Sequence, residues 1–326
     1  MAKGIMYVDN IRVEFDDEPT IMDVCRKAGV EMPNFCFHSD LSVYGACRMC
    51  MVEDLDTGKI DAACTTKPKN GMRIRTNTSR LLKYRRMILE LMLASHCRDC
   101  TACEKNRSCR LQEMAVRFGI HHVHFKDTRE HVPMDFSSPA VTFDLNKCIL
   151  CGDCVRVCKE VQGMSILHFA GRGPGLHIEA GDDQPISTTH CVSCGQCAAV
   201  CPTGAITIRN ETEKFWSMLQ DQTRKVVVQY APSVRVGMAE RFGLPANEPC
   251  TGKLVAALRR LGVDVVYDTN LTADLTIMEE SAEFLEKVKT GAKLPMFTSC
   301  CPGWIQHVEH RHPHLMPQVS TCGSPM

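Results

Sequence analysis

The sequence has 326 residues with 38 basic and 38 acidic side chains, so its formal net charge is zero, a balance that argues against nucleic acid or an anionic membrane as the main partner. The length allows roughly two domains of ordinary size, or more if some are small, and 21 cysteines beside 12 Phe, 5 Tyr and 2 Trp point to segments stabilised by metal ligation as well as apolar burial. The start, MAKGIMYVDN, lacks the basic opening and apolar core of a secretory signal, and no stretch reaches the ~20 apolar residues of a membrane span. The expectation is a cytoplasmic protein without a transmembrane segment, in a compartment where clustered cysteines bind metal more often than they form disulfides.

Residues 4–15 alternate apolar and polar around Asp9 and Asn10 and predict a hairpin, and TIMDVCRKAG predicts a short helix with Thr20 and Asp23 at capping-box spacing and Gly29 as its stop. A small α+β unit then carries the first cysteines. RLLKYRRMILELMLASH is the next helix, its basic positions read as a solvated face. Residues 141–208 repeat a short plan, a cysteine run followed by a strand-like segment (SILHFA, then AITI), which is an internal duplication. After the polar stretch RNETEKFWSMLQDQTRK, the segments VVVQY, MAERF, TGKLVAALRRLG, VDVVYD, ADLTIMEESAEFLEKVKTG and LPMFTS alternate strand and helix patterns as in a parallel α/β sheet. TSCC is expected where a strand ends and a helix over PGWIQHVEH begins, at the kind of crevice where open α/β sheets bind ligands.

Cys36, Cys47, Cys50 and Cys64 form C-x10-C-x2-C-x13-C, which suits a [2Fe-2S] cluster whose two irons each take two thiolates. Spacing alone leaves zinc open, while Gly45 and the strand RMCMVE favour the ferredoxin reading. His96, Cys100, Cys103 and Cys109 give H-x3-C-x2-C-x5-C; a neutral imidazole in place of one thiolate makes a [4Fe-4S] cluster more positive and raises its potential. By itself His96 would read as a surface histidine. Cys148, Cys151, Cys154 and Cys158, then Cys191, Cys194, Cys197 and Cys201, are two copies of C-x2-C-x2-C-x3-C, the second followed by Pro202. In such pairs the fourth cysteine crosses over, so Cys148, Cys151, Cys154 and Cys201 hold one [4Fe-4S] and Cys191, Cys194, Cys197 and Cys158 the other. Compressed four-cysteine spacing of this kind is rare for zinc.

Cys25 reads as core, and Cys97 and Cys250 as cysteines outside the ligand sets. Cys300, Cys301 and Cys322 are also unassigned by spacing. His121, His122 and His124, and His307, His310, His312 and His314 with Glu309, could hold a divalent ion but lack a cysteine framework. GRGPG at 171–175 is a loop that opens no helix, so the chain has no evident flavin or pyridine-nucleotide site of its own.

The order of these modules, followed by APSVRV, TGKLVAALRRLG, DLTIMEE and MFTSCCPGW, resembles the multi-cluster form of the iron-only ([FeFe]) hydrogenases over essentially all 326 residues. Its first half is also similar to the electron-transfer subunit of NADH dehydrogenase and to some formate dehydrogenases; DLTIMEE and TSCCPGW discriminate. The resemblance implies a multi-domain α+β and α/β chain. Its parts would be a plant-type ferredoxin (β-grasp) domain at 1–78, a histidine-ligated [4Fe-4S] module at 79–138, a two-[4Fe-4S] ferredoxin module at 139–210, a linker at 211–224, and the first part of a parallel α/β domain for the catalytic H-cluster at 225–326.

The resemblance further implies that Cys301 ligates the [4Fe-4S] part of the H-cluster and that Cys300 passes protons to the diiron subsite. Glu280, Glu283 and Ser320 continue the proton path, with Lys287 where an arginine is common; without the resemblance, the two glutamates read equally as an exposed helix edge. The family has two later motifs, which supply three more cysteines and a lysine, and the sequence to Met326 holds neither. The chain is therefore expected to be incomplete for catalysis alone, as a fragment, one part of a split site, or a relative that kept only the electron relay. The implied function is electron transfer between a flavin/NAD(P)H subunit or soluble ferredoxin and a hydrogen-activating site, in a hetero-oligomer. The alternative is a non-catalytic relay of an NADH dehydrogenase-like or formate dehydrogenase-linked complex; the molybdopterin domain of the latter would need a further cysteine group after Cys201.

Overall fold

The computed structural model describes residues 3–127, 129, 131–182, 184–245 and 248–326, in two units, Met1–Arg209 and Asn210–Met326. In the first, strands β1 (Gly4–Val8) and β2 (Ile11–Phe15) pair antiparallel through Asp9 and Asn10, both at positive φ (50° and 74°), as a tight hairpin turn requires. Their alternation buries Met6, Val8, Val13 and Phe15 on one face. Helix α1 (Ile21–Lys27) adds Ile21, Met22, Val24 and Cys25 to that core, and the Thr20 side chain accepts from the Asp23 N–H at its start.

Strands β3 (Met51–Asp54), β4 (Ile60–Ala62) and β5 (Arg73–Arg75) complete a five-stranded sheet of order β2-β1-β5-β3-β4, with β5 parallel to β1 and antiparallel to β3. The sequence reading had no strand at β5. Its three residues are too short for a periodic signal, and its place between β1 and β3 is set by long-range pairing.

Helix α2 (Ser79–Ala94) is capped by Thr78, which accepts from the Leu81 N–H at 3.2 Å. One of its basic positions corrects the expectation of a solvated face. Arg85 is only 2 % exposed and donates from Nε to the Met49 carbonyl at 3.0 Å and from Nη2 to the Met51 carbonyl at 2.7 Å, tying the helix to the strand after the first cysteine pair. Helix α3 (Arg110–Arg117) packs beside it, and Leu89, Leu111, Met114 and Phe118 share a core with Phe35, Met49 and Ile149.

The duplicated part contains β6 (Val141–Phe143), α4 (Asp153–Arg156), β7 (Leu167–Ala170), β8 (His177–Ala180), α5 (Gln196–Val200) and β9 (Ile206–Ile208). Each half places its strand in an antiparallel pair, β7 with β8 and β9 with β6. The loop GRGPG does follow a strand, but it joins β7 back to β8 as a hairpin connection rather than opening an α-helix.

In the second unit, residues 212–220 form helix α6 (Thr212–Gln220), so the expected linker is largely helical. Strands β10 (Val227–Tyr230) and β11 (Val265–Asp268) pair in parallel, Val227 opposite Val265 through Tyr230 opposite Asp268. Helices α7 (Pro232–Arg241), α8 (Thr251–Arg260), α9 (Thr269–Thr290) and α10 (Pro302–Arg311) surround them in sequence. The strand expected over LPMFTS is reduced to a single parallel bridge, Phe297 to Val319. Among the described residues no helix is long and apolar enough to cross a membrane.

Candidate metal centres

The first cysteine set lies between β2 and β5, in loops that fold over the end of the sheet. Cys36, Cys47, Cys50 and Cys64 are 1, 6, 1 and 1 % exposed and fall into two pairs. The Cys47 N–H donates to Cys36 Sγ at 3.4 Å, and the Cys50 and Cys64 sulfurs are 3.4 Å apart. The Cys36 thiol and the backbone N–H groups of Met49 and Phe35 hold Cys47 down at about 7, and the Cys64 thiol does the same for Cys50. Gly45 makes the loop possible: at φ +70°, a Cβ there would stand 2.6 Å from Thr65 Cγ2.

The second set surrounds the turn between α2 and α3. His96 is half-buried, its Nδ1 is buried without a hydrogen-bond partner, and burial pushes the ring down to about 4 against the opposing effect of a hydrogen bond to the Lys147 backbone. A neutral imidazole with an unsatisfied nitrogen is a ligand-ready state. Cys109 is the residue that begins α3, and the Cys100 thiol is pushed up by burial and then by Cys109, Cys103 and Cys97. Cys97, left outside the ligand sets by the sequence reading, thus interacts with them. The signal was present in its x2 spacing from Cys100.

The third and fourth sets are brought together as the crossing pattern expects. Cys148, Cys151, Cys154 and Cys201 line one apolar cavity with Leu145, Ile178 and Ile206. The Cys191 and Cys197 thiols are raised by burial first, then by a group that includes Cys158 and Cys194. The two runs share an unusual backbone. Leu150 and Gly152 have φ of 57° and 76°, and Ser193 and Gly195 have 55° and 72°, so each run turns twice through the left-handed region before its short helix. Backbone N–H groups point at sulfur in this part too: Leu150 N to Cys148 at 3.4 Å and Ile166 N to Cys158 at 3.3 Å. Among the described residues no three cysteines have sulfurs mutually within 4.8 Å, whereas four sulfurs ~2.3 Å from one zinc would stand roughly 3.8 Å apart.

Buried contacts join these sets. Arg156 donates to the Cys36 carbonyl at 2.8 Å, to the Ser42 carbonyl and to Asp153, and its guanidinium lies 5.6 Å from the Tyr44 ring centroid. Cys97 N donates to the Asn146 carbonyl at 2.9 Å and Arg110 N to the Pro202 carbonyl at 3.0 Å. The sequence reading missed Arg156 because its partners lie more than 100 residues away.

At the far end of the chain Cys300 and Cys301 are exposed, and Cys301 is the residue from which α10 starts. The Ser299 N–H donates to Glu280 at 3.1 Å. Glu283 accepts from the Ser320 hydroxyl at 2.7 Å and pairs with Lys287 at 2.8 Å, and the Lys287 hydrogen bond and then those of Ser320 and Thr321 hold its carboxyl below the usual range. The two glutamates therefore face the segments that flank the cysteine pair rather than open solvent.

Cys25 is fully buried and pushed up to about 12 by burial, an inert core thiol. Cys250 is buried and donates to the Arg235 carbonyl. His124 pairs with Glu90 at 2.8 Å, and Trp304, His307, His312 and His314 form a run of ring contacts. The metal-type grouping found among the described residues is elsewhere, at His168, Glu179 and Asp182.

Family models match in the same order as these sites. A 2Fe-2S iron-sulfur cluster binding domain matches residues 5–79, and the iron-sulfur binding region of NADH-ubiquinone oxidoreductase G matches 85–124. The ferredoxin-like domain of NADH-quinone oxidoreductase subunit 3 matches 138–207, and the C-terminal domain of the iron only hydrogenase large subunit matches 224–326. The chain is similar to the NADP-reducing hydrogenase subunit HndD of Solidesulfovibrio fructosivorans, with 37 % identity over 100 % of this chain and 57 % of that protein. It is 31 % identical to iron hydrogenase 1 of Clostridium pasteurianum, over 98 % of this chain and 56 % of that one. The chain thus spans a little over half the length of these relatives. Among solved structures, a chain of an NAD+-reducing [NiFe]-hydrogenase in the H2-reduced state aligns with a TM-score of 0.60 and 30 % identity, covering 64 % of this chain and 88 % of that chain. Iron-sulfur modules in this order, leading into the hydrogenase large-subunit domain, make the chain a member of the iron-only hydrogenase family.

Proposed function

We propose that the chain is the iron-sulfur relay of an [FeFe] hydrogenase linked to NADP(H) or ferredoxin, carrying electrons between a flavin/NAD(P)H-handling subunit or soluble ferredoxin and the site of H2 oxidation and proton reduction. Cys36, Cys47, Cys50 and Cys64 would hold a [2Fe-2S] cluster in a plant-type ferredoxin (β-grasp) domain, and His96, Cys100, Cys103 and Cys109 a [4Fe-4S] cluster. Cys148, Cys151, Cys154 and Cys201, and Cys191, Cys194, Cys197 and Cys158, would hold two more. When bound, such clusters supply one-electron carriers whose potentials follow ligand charge, burial and hydrogen bonds to sulfur.

One observation carries the reading. A single apolar core contains Cys36 and Cys47 of the first set and Cys151 of the third, with Cys109 of the second packed against it. Ligands of three sets thus share one water-excluding core, which lowers the local dielectric and places the centres side by side. The wide spread of the sulfurs in each set supports multi-iron clusters over single zinc ions.

The family's roles at the far end extend the reading. Cys301 would ligate the catalytic cluster, and Cys300, Glu280, Ser320 and Glu283 would move protons. The Glu283–Ser320 hydrogen bond and the Glu280–Ser299 contact next to Cys300 give this chain of groups its start. A second reading, a relay serving a different catalytic site, is favoured by the close match of the early modules to NADH dehydrogenase components and to a [NiFe]-hydrogenase chain.

Anaerobically purified protein should contain about 14 iron atoms in the four assigned clusters and show one [2Fe-2S] and three [4Fe-4S] signals on stepwise reduction by electron paramagnetic resonance. Zinc in place of iron would overturn the relay. Hydrogen-dependent reduction of an added flavin subunit or ferredoxin separates the two readings, since a relay for another site gives none.

A further inference from the structure

The turn between α2 and α3 holds one donor more than a four-iron cluster uses. Cys97, Cys100 and Cys103 repeat the C-x2-C-x2-C spacing of Cys148, Cys151 and Cys154 and of Cys191, Cys194 and Cys197, so a complete four-cysteine run, C-x2-C-x2-C-x5-C, exists here without the histidine. The backbone of Cys97 is held by its N–H bond to the Asn146 carbonyl at 2.9 Å. Its thiol interacts with Cys100 and, together with Cys103, with Lys147, which puts it among the ligand set rather than in an unrelated core. Residues 96–100 belong to no helix or strand, so no ladder of hydrogen bonds forces the two neighbouring side chains to opposite faces. His96, directly before it, keeps its buried Nδ1 without a partner.

Resting on the reading of this module as a [4Fe-4S] site, we propose that Cys97 is an alternative fourth ligand, so that the corner of the cluster held by His96 can pass to its neighbour. In the exchange the Fe–N bond to the imidazole breaks, the Fe–S bond to Cys97 forms, and the thiol proton leaves to solvent. No electron is transferred. The thiolate brings one negative charge where the imidazole brought none, so it disfavours the reduced cluster and lowers the midpoint potential. Lys147, paired with Asp144 at 2.7 Å, stands next to Cys97 and Cys103 and offsets part of that added charge. One cluster position can thus take two potentials according to which of two adjacent residues binds it.

The full chain, reconstituted with iron and sulfide, tests this through iron content and the paramagnetic signals of the reduced state. His96→Ala is expected to keep the iron content and the number of [4Fe-4S] signals of the wild type, with one signal moved to lower potential, and Cys97→Ala to leave both content and potentials unchanged. The double variant His96→Ala/Cys97→Ala should lose that signal and up to four irons. If His96→Ala alone loses the signal as fully as the double variant while the wild type has it, the alternative ligand is ruled out and the relay stands. If the wild type lacks the signal, the relay reading of this module and the inference fall together.

Discussion

The two units of the chain solve the problem of a stable interior in different ways. In Met1–Arg209, fifteen assigned cysteines and His96 sit in loops and on short helix starts, and the local cores are small groups of residues arranged around sulfur. In Asn210–Met326, helix α9 leaves Leu271, Leu275, Ile277, Met278 and Leu285 between 52 and 68 % exposed, and the two-stranded sheet leaves Val227 at 55 %. A sheet and helix with this much apolar surface uncovered are built to pack against more polypeptide. The contrast teaches that a fold assembled from ligand loops closes locally, module by module, whereas a parallel α/β layer closes only when further elements cover it.

The strongest way to break the comparison is to remove iron. Metal ligation contributes on the order of 10 kcal/mol in small zinc domains, so chelation under reducing conditions should abolish near-ultraviolet circular dichroism and hydrogen-exchange protection in residues 3–209 while α7 to α10 keep theirs. Equal loss in both units would erase the distinction. A smaller blow falls on the apolar part of the first unit: Arg85→Ala removes two hydrogen bonds from a buried guanidinium to the carbonyls of Met49 and Met51 and should cost about 3 kcal/mol, read as a lowered unfolding midpoint of the cluster-loaded protein.

Acid sharpens the contrast among the ligand sets. The His96 ring sits at about 4 in the folded protein against ~6.5 for a free histidine. A depressed value means that the neutral ring's contribution is present above the unfolded value and is lost as pH falls from about 6.5 towards 4, and ligation can only widen that window downward. The paramagnetic signal of the histidine-ligated cluster should therefore fade across this range ahead of the all-cysteine signals. Simultaneous loss of all three would show that the histidine is not the weak corner.

The smallest effect belongs to the second unit. Replacing the exposed Leu275 and Met278 by Gln should change stability by no more than ~0.5 kcal/mol while reducing self-association in light scattering; a large destabilisation would mean that this face is already buried.

Much of the site was legible in the sequence because cluster ligands are spaced by local geometry. Three cysteines separated by two residues each, with a left-handed residue between, wrap one cluster corner whatever the rest of the chain does, and the pairs Leu150/Gly152 and Ser193/Gly195 show the same turn twice. The hairpin at Asp9 and Asn10 and the cap at Thr20 were readable for the same reason. The strand expected at LPMFTS was not realised as such, since an extended apolar stretch becomes a strand only where partners lie alongside, and here a single bridge to Val319 is present. Cys97 escaped because its histidine neighbour already completed a ligand set.

The sequence by itself determined which residues can bind metal, in what order the modules follow, and where the short turns and caps fall, because these depend on backbone conformations and donor atoms a few residues apart. Only the tertiary structure decided that Arg85 is buried, that Arg156 ties Cys36 and Ser42 to the third ligand run, that β5 lies between β1 and β3, and that Glu280 and Glu283 face the segments around the last cysteines. Those outcomes depend on burial and on pairing between residues tens to more than a hundred positions apart, and no local pattern records which distant partner will satisfy a buried charge or an open strand edge.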